Sequence, residues 1–179
     1  VYRLIRRKTS GTDSDVGFRL RPAMVGAATL VGLLAGALAV TVPIMVRRQP
    51  SGVVAIAGDP LGRLGDLPLW AGVLGAALFN ALAEEWIWRG LVIDLLRNTG
   101  WSARVAVVLQ ATSFGIAHLE GIPGGILGVG LASIFGIMAG LIVAPHKGRI
   151  AYAVMAHWSA DLVIVGTLAL NPQLFLRLA

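Results

Sequence analysis

Long apolar runs separated by short polar or glycine-containing connections are the dominant pattern of this chain. Five such runs are present, and each is long enough to cross roughly 30 Å of hydrocarbon as a helix that rises about 1.5 Å per residue. The pattern therefore predicts an all-α fold, a polytopic transmembrane helix bundle of about five spans, and the ionisable residues described below add a polar intramembrane cavity that the spans surround. The predicted spans cover residues of about 22–46, 68–96, 103–119, 124–144 and 150–170.

Glycine and proline mark the connections and the helix contacts. The 47–67 connection contains the turn residues of an irregular loop. The glycine-rich stretch 121–130 leaves open whether the fourth span starts late or is re-entrant. Small residues four apart permit close helix contact in lipid. Two such pairs predict close packing, Gly32/Gly36 and Gly136/Gly140.

Composition supports a membrane protein and excludes thiol chemistry. The chain has 179 residues, of which 56% are hydrophobic and only 13% are charged, with a mean hydropathy of +0.79. A soluble domain has about 25% charged residues, so the sequence indicates an integral membrane protein. Because cysteine is absent, a disulfide framework, a cysteine nucleophile and a cysteine-ligated metal are all excluded.

The net charge of +6 indicates membrane orientation rather than a nucleic-acid partner, because the basic residues cluster outside the spans. We expect a basic cytoplasmic segment 1–21 that is retained in the mature chain, then a single transmembrane domain 22–179 with a catalytic core at about 68–165. The short, loop-poor chain suggests a bacterial plasma membrane. A cytoplasmic N-terminus places ten basic residues inside and four outside: Arg3, Arg6, Arg7, Lys8, Arg19, Arg21, Arg97, Arg104, Lys147 and Arg149, against Arg47, Arg48, Arg63 and Arg177.

A few ionisable residues lie inside the apolar spans. A charged side chain at the centre of a membrane helix costs roughly 2.5–3.5 kcal/mol, so it marks a functional site by default. In the second span, Glu85 and Arg89 are four apart and share a helical face, whereas Glu84 points about 100° away. One carboxylate can therefore pair with the guanidinium and leave the other available. Asn80 lies on the Glu84 face and is placed to hydrogen-bond Glu84 or a substrate.

Two further spans carry histidine. His118 ends the third span, and His157 and Asp161 are four apart in the fifth. The Asp161 carboxylate is placed to hold one imidazole nitrogen of His157 and fix the tautomer of the other. Taken singly, a helix cap explains His118, a buried ion pair explains His157, and a structural cluster explains the acidic pair. Convergence of all three on one intramembrane cavity is the economical arrangement.

Three short motifs carry these residues, EEWIWRG at 84–90, FGIAH at 114–118 and HWSAD at 157–161. In this order and within membrane spans, they resemble the motifs of the CPBP family, which comprises the type II CAAX prenyl endopeptidases and the bacteriocin-processing or immunity proteins, also called Abi-domain proteins. The resemblance covers about residues 68–165. It implies a metal-independent, cofactor-free glutamic intramembrane endopeptidase.

The resemblance also implies roles for single residues. Glu84 would be the general base that activates water, with His118 assisting. His157 and Asp161 would form the oxyanion-stabilising side, and Glu85 and Arg89 the supporting ion pair. Position 161 departs from the family's frequent asparagine. An ionised carboxylate cannot donate to an oxyanion, so we expect Asp161 to orient His157 or pair with Arg89.

The substrate expected from this resemblance is a membrane-associated peptide or protein, for which a prenylated C-terminal motif is the family's best-known case. Two other functions fit the same residues. A zinc protease could use His118, His157 and a carboxylate, although no span has the His-Glu-x-x-His spacing. A non-catalytic scaffold, a self-immunity protein or a proton-linked transporter would also place carboxylates and histidines in the membrane.

Overall fold

The computed structural model describes residues 21–46, 65–144 and 149–174. Every regular element in these ranges is helical, which confirms the all-α prediction. The basic segment 1–20 and most of the 47–67 connection lie outside the described residues. We number the α-helices in chain order as α1 Pro22–Val46, α2 Leu67–Glu85, α3 Ile93–Asn98, α4 Ala103–Ala117, α5 Gly125–Val143 and α6 Ile150–Leu170.

The second apolar segment forms one long helical run. It begins at Asp66, whose side chain caps the helix by accepting a hydrogen bond from the Leu69 amide at 3.0 Å. Between α2 and α3 the chain is π-helical over Trp86–Val92. The whole run, Leu67–Asn98, has 32 residues. A π-helix is rare and often occurs at functional sites, and nothing in the apolar pattern of this segment predicts it.

Four helical runs in the described part of the chain are long and apolar enough to cross a membrane, namely α1, Leu67–Asn98, α5 and α6. The third predicted span is shorter, because α4 has 15 residues and therefore a length of about 22 Å. It ends in a 3-10 turn, His118–Glu120, before Pro123 and the glycines around it. The fourth span has a full-length helix, since the 19 residues of α5 begin at Gly125.

Glycines set the helix packing. A Cβ at Gly36 would lie 2.6 Å from the Ala160 carbonyl oxygen, and one at Gly32 would overlap the Ala156 carbonyl. In the other pair, a Cβ at Gly140 would lie 2.9 Å from Val107. These approaches bring α1 onto α6 and α4 onto α5, so both predicted small-residue contacts are confirmed.

Consecutive spans run in alternating directions. α1 and α6 are parallel, and their N-terminal ends meet where the Arg21 amide donates to the Tyr152 hydroxyl at 2.9 Å. The second and fourth segments run in the direction opposite to α1 and α6. Arg97, near the C-terminal end of α3, therefore lies beside the C-terminal end of α5, where its guanidinium donates a hydrogen bond to the Ala144 carbonyl oxygen at 3.1 Å. Arg21, Arg97, Arg104 and Arg149 consequently lie at one end of the bundle.

Candidate active site

The predicted site residues come together between α2, α6 and the turn after α4. A cavity of about 670 Å³ is lined by five of them. α2 contributes two residues, the 3-10 turn one and α6 two, so three separate segments converge as the sequence predicts. The five are Asn80, Glu84, His118, His157 and Asp161.

An apolar groove meets this cavity at the same residues. The groove has a volume of about 260 Å³, and His118, His157 and Asp161 line it together with apolar side chains. Its outer walls come from α1 and α5, which contribute Leu34, Leu38, Ile134 and Met138. The titratable groups therefore lie where a polar cavity and an apolar groove join.

Glu85 is the centre of a buried ionic cluster. Its Oε1 lies 2.8 Å from Arg89 Nη1, and both side chains are completely buried. The same oxygen lies 2.7 Å from His157 Nδ1, so that nitrogen donates to the carboxylate. The Glu85–Arg89 pairing predicted from the four-residue spacing is confirmed. The cluster ties α2 to α6 across 72 positions of sequence.

Arg89 is also packed between aromatic rings. Its guanidinium carbon lies 4.4 Å from the centroid of Phe114 and 5.6 Å from that of Phe135. Attraction between a cation and an aromatic face contributes about 2 kcal/mol when the pair is desolvated. The contact with Glu85 is a close ion pair rather than a well-aligned hydrogen bond, because none of the guanidinium nitrogens has a partner in hydrogen-bond geometry among the described residues.

Asp161 pairs with His157 at the predicted four-residue spacing, but it does not make the short bond that fixes the imidazole tautomer. Glu85 makes the short contact, at Nδ1, while Asp161 Oδ1 lies 3.6 Å from His157 Nε2. Asp161 is instead held by Asn80, whose amide donates to Oδ2 at 3.0 Å, so Asn80 does not bond Glu84 as the shared helical face suggested. The physical reason is the way α2 crosses α6. The crossing places Glu85 beside the imidazole of His157 and Asn80 beside Asp161, one turn further along α6.

Glu84 differs from its neighbour in exposure. Its side chain is 27% exposed and lines the cavity, whereas that of Glu85 is 0% exposed. Glu84 Oε2 lies 3.7 Å from His157 Nε2, too far for a hydrogen bond, and this oxygen is buried without a hydrogen-bond partner among the described residues. One carboxylate is thus structural and the adjacent one faces the cavity.

His118 is fixed by its own helix. Its Nδ1 lies 2.9 Å from the Phe114 carbonyl oxygen, and because a carbonyl only accepts, this nitrogen carries the hydrogen. The ring also contacts Phe114, with centroids 4.5 Å apart. In the neutral form Nε2 is then the acceptor nitrogen, and it belongs to a side chain that lines the cavity.

We looked for a metal site among the residues that the structure describes. No group of three or more His, Asp or Glu side chains among the described residues is arranged to hold a metal ion. The zinc hypothesis therefore finds no ligand set here. Sequence reasoning also missed Phe135 and the buried Gln110, since nothing distinguishes one aromatic or one amide within an apolar span.

Comparison with known families bears on the same residues. The model of the type II CAAX prenyl endopeptidase Rce1-like family matches residues 66–163, which is just over half of the chain and includes all three motifs. No curated protein and no solved structure matches the chain. The chain is therefore an integral membrane protein that belongs to the Rce1-like family of type II CAAX prenyl endopeptidases.

Proposed function

We propose that this protein is a glutamic intramembrane endopeptidase in which Glu84 activates water for attack on a peptide bond. The observation that carries the proposal is the contrast between adjacent carboxylates. Glu85 is committed to Arg89 and His157, whereas Glu84 is partly exposed in the cavity that His118 and His157 also line. A general base must reach a water molecule, and Glu84 can.

The geometry supports a hydrolysis that needs no covalent intermediate. Glu84 takes a proton from water while the water oxygen forms a bond to the scissile carbonyl carbon, and the carbonyl electrons move onto oxygen. Protonated His157 would present Nε2–H to this oxyanion, because its Nδ1 hydrogen is held by Glu85, and a donor aimed at an oxyanion commonly contributes about 3–4 kcal/mol. As the C–N bond breaks, Glu84 returns the proton to the leaving amine.

A membrane-associated substrate with a lipophilic part, such as a prenylated peptide, suits the site. The apolar groove joins the polar cavity at His118, His157 and Asp161, so an apolar chain and a peptide bond can be held side by side. We further propose a cytoplasmic N-terminus in a bacterial plasma membrane. The common end of the bundle that carries Arg21, Arg97, Arg104 and Arg149 would then face the cytoplasm, as the positive-inside rule requires.

The test is cleavage of an internally quenched peptide by detergent-purified protein, using a farnesylated and an unmodified version of the same peptide. We expect Glu84→Gln to lower kcat by at least about 10³-fold, because it removes the base, and a chelator to have no effect. Glu120→Gln is the matched control, since Glu120 lines the same cavity but lies outside the three motifs. Cleavage by Glu84→Gln at the wild-type rate would refute the proposal, and folded protein that cleaves neither peptide would favour a non-catalytic family member.

A further inference from the structure

We propose that the active-site cavity opens at the end of the bundle opposite its arginine-rich end, so that the substrate peptide enters from outside the cytoplasm. The arginine-rich end is the one that carries Arg21, Arg97, Arg104 and Arg149. The inference rests on the proposed function and its cytoplasmic N-terminus, and it specifies the substrate class: membrane-anchored proteins whose scissile bond lies on the non-cytoplasmic side. Three features of the structure support it, namely the extent of the cavity along α2 and α6, the packing at the arginine-rich end and the short α4.

The cavity extends along α2 and α6 away from the arginine-rich end. Arg149 precedes α6, and the described residues of α6 that line the cavity extend from His157 to Leu168. At about 1.5 Å per residue, these two residues lie roughly 12 and 28 Å from Arg149. α2 runs antiparallel to α6, and its lining residues extend from Glu84 back to Ala76, which is the same direction. The cavity therefore continues from the candidate base to within one turn of the far end of α6.

Packed side chains close the cavity toward the arginine-rich end. Trp88 is the lining residue of the second segment that lies nearest this end, and its ring packs edge-on against Phe114 with centroids 5.8 Å apart. Beyond them lie the completely buried side chain of Arg89 and a buried cluster in which Phe114 joins Tyr152 of α6 and Val143 of α5. A packed interior leaves few voids larger than a water molecule. A peptide therefore cannot reach the site through this part of the described helices.

The far end contains a cleft because α4 is short. α4 packs against the π-helical segment and α3, whereas α2 packs along α6. The 15 residues of α4 cover about 22 Å of a hydrocarbon layer of roughly 30 Å, so the chain turns at His118 before it reaches the far side. The cleft between α2 and this turn contains Asn80 and Glu120, which are both exposed. Their polar groups suit an extended peptide that enters from water.

The arginines decide which side of the membrane this opening faces. The positive-inside rule places the arginine-rich end in the cytoplasm, so the opening lies on the other side. The apolar groove extends in the same direction, because its wall on α1 runs from Val31 to Ala39, roughly 15–27 Å from Arg21. A lipophilic anchor can therefore lie in the groove while the attached peptide enters the cavity from the non-cytoplasmic side.

Cysteine labelling tests the direction of access, because the native chain has no cysteine. Val163 and Val165 lie at nearly the same depth on α6, but Val165 lines the cavity whereas Val163 packs toward Gly36 of α1. A membrane-impermeant maleimide reacts with the thiolate, which forms where water reaches the sulfur. In spheroplasts we expect Val165→Cys to react at least about tenfold faster than Val163→Cys. Arg104→Cys, the orientation control, should react only in inside-out vesicles, in which Val165→Cys should not react.

Two results of this labelling would overturn the inference. One is reaction of Val165→Cys from the same face as Arg104→Cys, which would mean that the cavity opens at the arginine-rich end or that this end lies outside the cytoplasm. The other is an equal rate for Val165→Cys and Val163→Cys, which would mean that water does not enter the cavity. Leu168→Cys, which lies closer to the far end of α6 and also lines the cavity, gives the same readout if Val165→Cys does not fold.

A blocking experiment tests whether the substrate uses this opening. Maleimide added to spheroplasts that contain Val165→Cys is expected to abolish subsequent cleavage of the farnesylated peptide by the purified protein, whereas the cysteine-free wild type treated in the same way should keep its activity. Full activity after complete labelling would overturn the entry route. Labelling in the expected direction, combined with unlabelled protein that cleaves neither peptide, would instead refute the proposed function and leave the direction of the opening supported.

Discussion

Substitution of Glu85 and of its neighbour Glu84 should separate folding from catalysis. Glu85 Oε1 contacts both Arg89 and His157, and the side chains of Glu85 and Arg89 are completely buried. Glu85→Gln removes the negative charge from this cluster and leaves the guanidinium without an anionic partner in an apolar interior. Glu84→Gln removes a carboxylate that is 27% exposed in the cavity. Arg89 and His157 keep their closest carboxylate, Glu85, in this variant.

The expected magnitude follows from burial. Removing one partner of a buried ion pair costs about 3–5 kcal/mol, because the remaining charge is uncompensated. The rings of Phe114 and Phe135 lie against the guanidinium and retain part of its stabilisation, which favours the lower end of this range. For a chain of this size, about 1 kcal/mol corresponds to 2–4 °C in Tm. We therefore expect Glu85→Gln to lower Tm by about 6–20 °C.

Thermal unfolding in detergent measures this difference through the fluorescence of the five tryptophans. Glu84→Gln should unfold within about 2 °C of wild type and yet be inactive. The double variant Glu85→Gln/Arg89→Met should recover part of the lost Tm, since it removes the unpaired charge together with its partner. An equal loss of Tm in Glu84→Gln and Glu85→Gln would refute the assignment of one structural and one cavity-facing carboxylate.

Three further substitutions test the packing and the positioning of the site. Gly36→Ala should destabilise the fold by about 1–3 kcal/mol, because its Cβ would lie 2.6 Å from the Ala160 carbonyl oxygen. Gly26 lies in the same helix with open space around it, so the control variant Gly26→Ala should have a Tm equal to or slightly above that of wild type. Gln110→Met should raise the free energy of unfolding by about 1–2 kcal/mol, since the fully buried amide has no hydrogen-bond partner among the described residues; an unchanged or lower Tm would contradict this. Asn80→Ala should lower kcat about five- to tenfold without changing KM or Tm. The reason is that it removes the hydrogen bond of about 1 kcal/mol that positions Asp161. A lower Tm in this variant would instead indicate a structural role for Asn80.

The fold was largely predictable because the bilayer limits the choices. Long apolar runs can only be helices when every backbone group must be satisfied internally, so α1, α5 and α6 follow directly from the pattern. The pairs Gly32/Gly36 and Gly136/Gly140 were informative because a glycine has no side chain to keep a neighbouring helix at a distance. The π-helical segment Trp86–Val92 was not predictable, since its sequence, with one arginine among apolar residues, fits an α-helix equally well.

The site was predictable only within each helix. Four-residue spacing correctly paired Glu85 with Arg89, because both lie on one helical face. The same rule paired His157 with Asp161 and was wrong about the short bond, which comes from Glu85 on another helix. Contacts between helices depend on crossing angle and rotation, and a pattern of apolar residues does not encode these.

The adjacent pair of glutamates has a physical explanation in this arrangement. A general base needs a carboxylate that water can reach, whereas a buried arginine needs one that water cannot reach, and no single side chain meets both requirements. Successive positions on a helix point about 100° apart, so Glu84 faces the cavity while Glu85 faces Arg89 and His157. Because Glu85 also holds the Nδ1 hydrogen of His157, it directs Nε2 toward Glu84 and Asp161. In the proposed mechanism, the structural carboxylate therefore fixes the distance between the base and the groups that would stabilise the oxyanion, and its loss should impair catalysis even under conditions in which the helices remain folded.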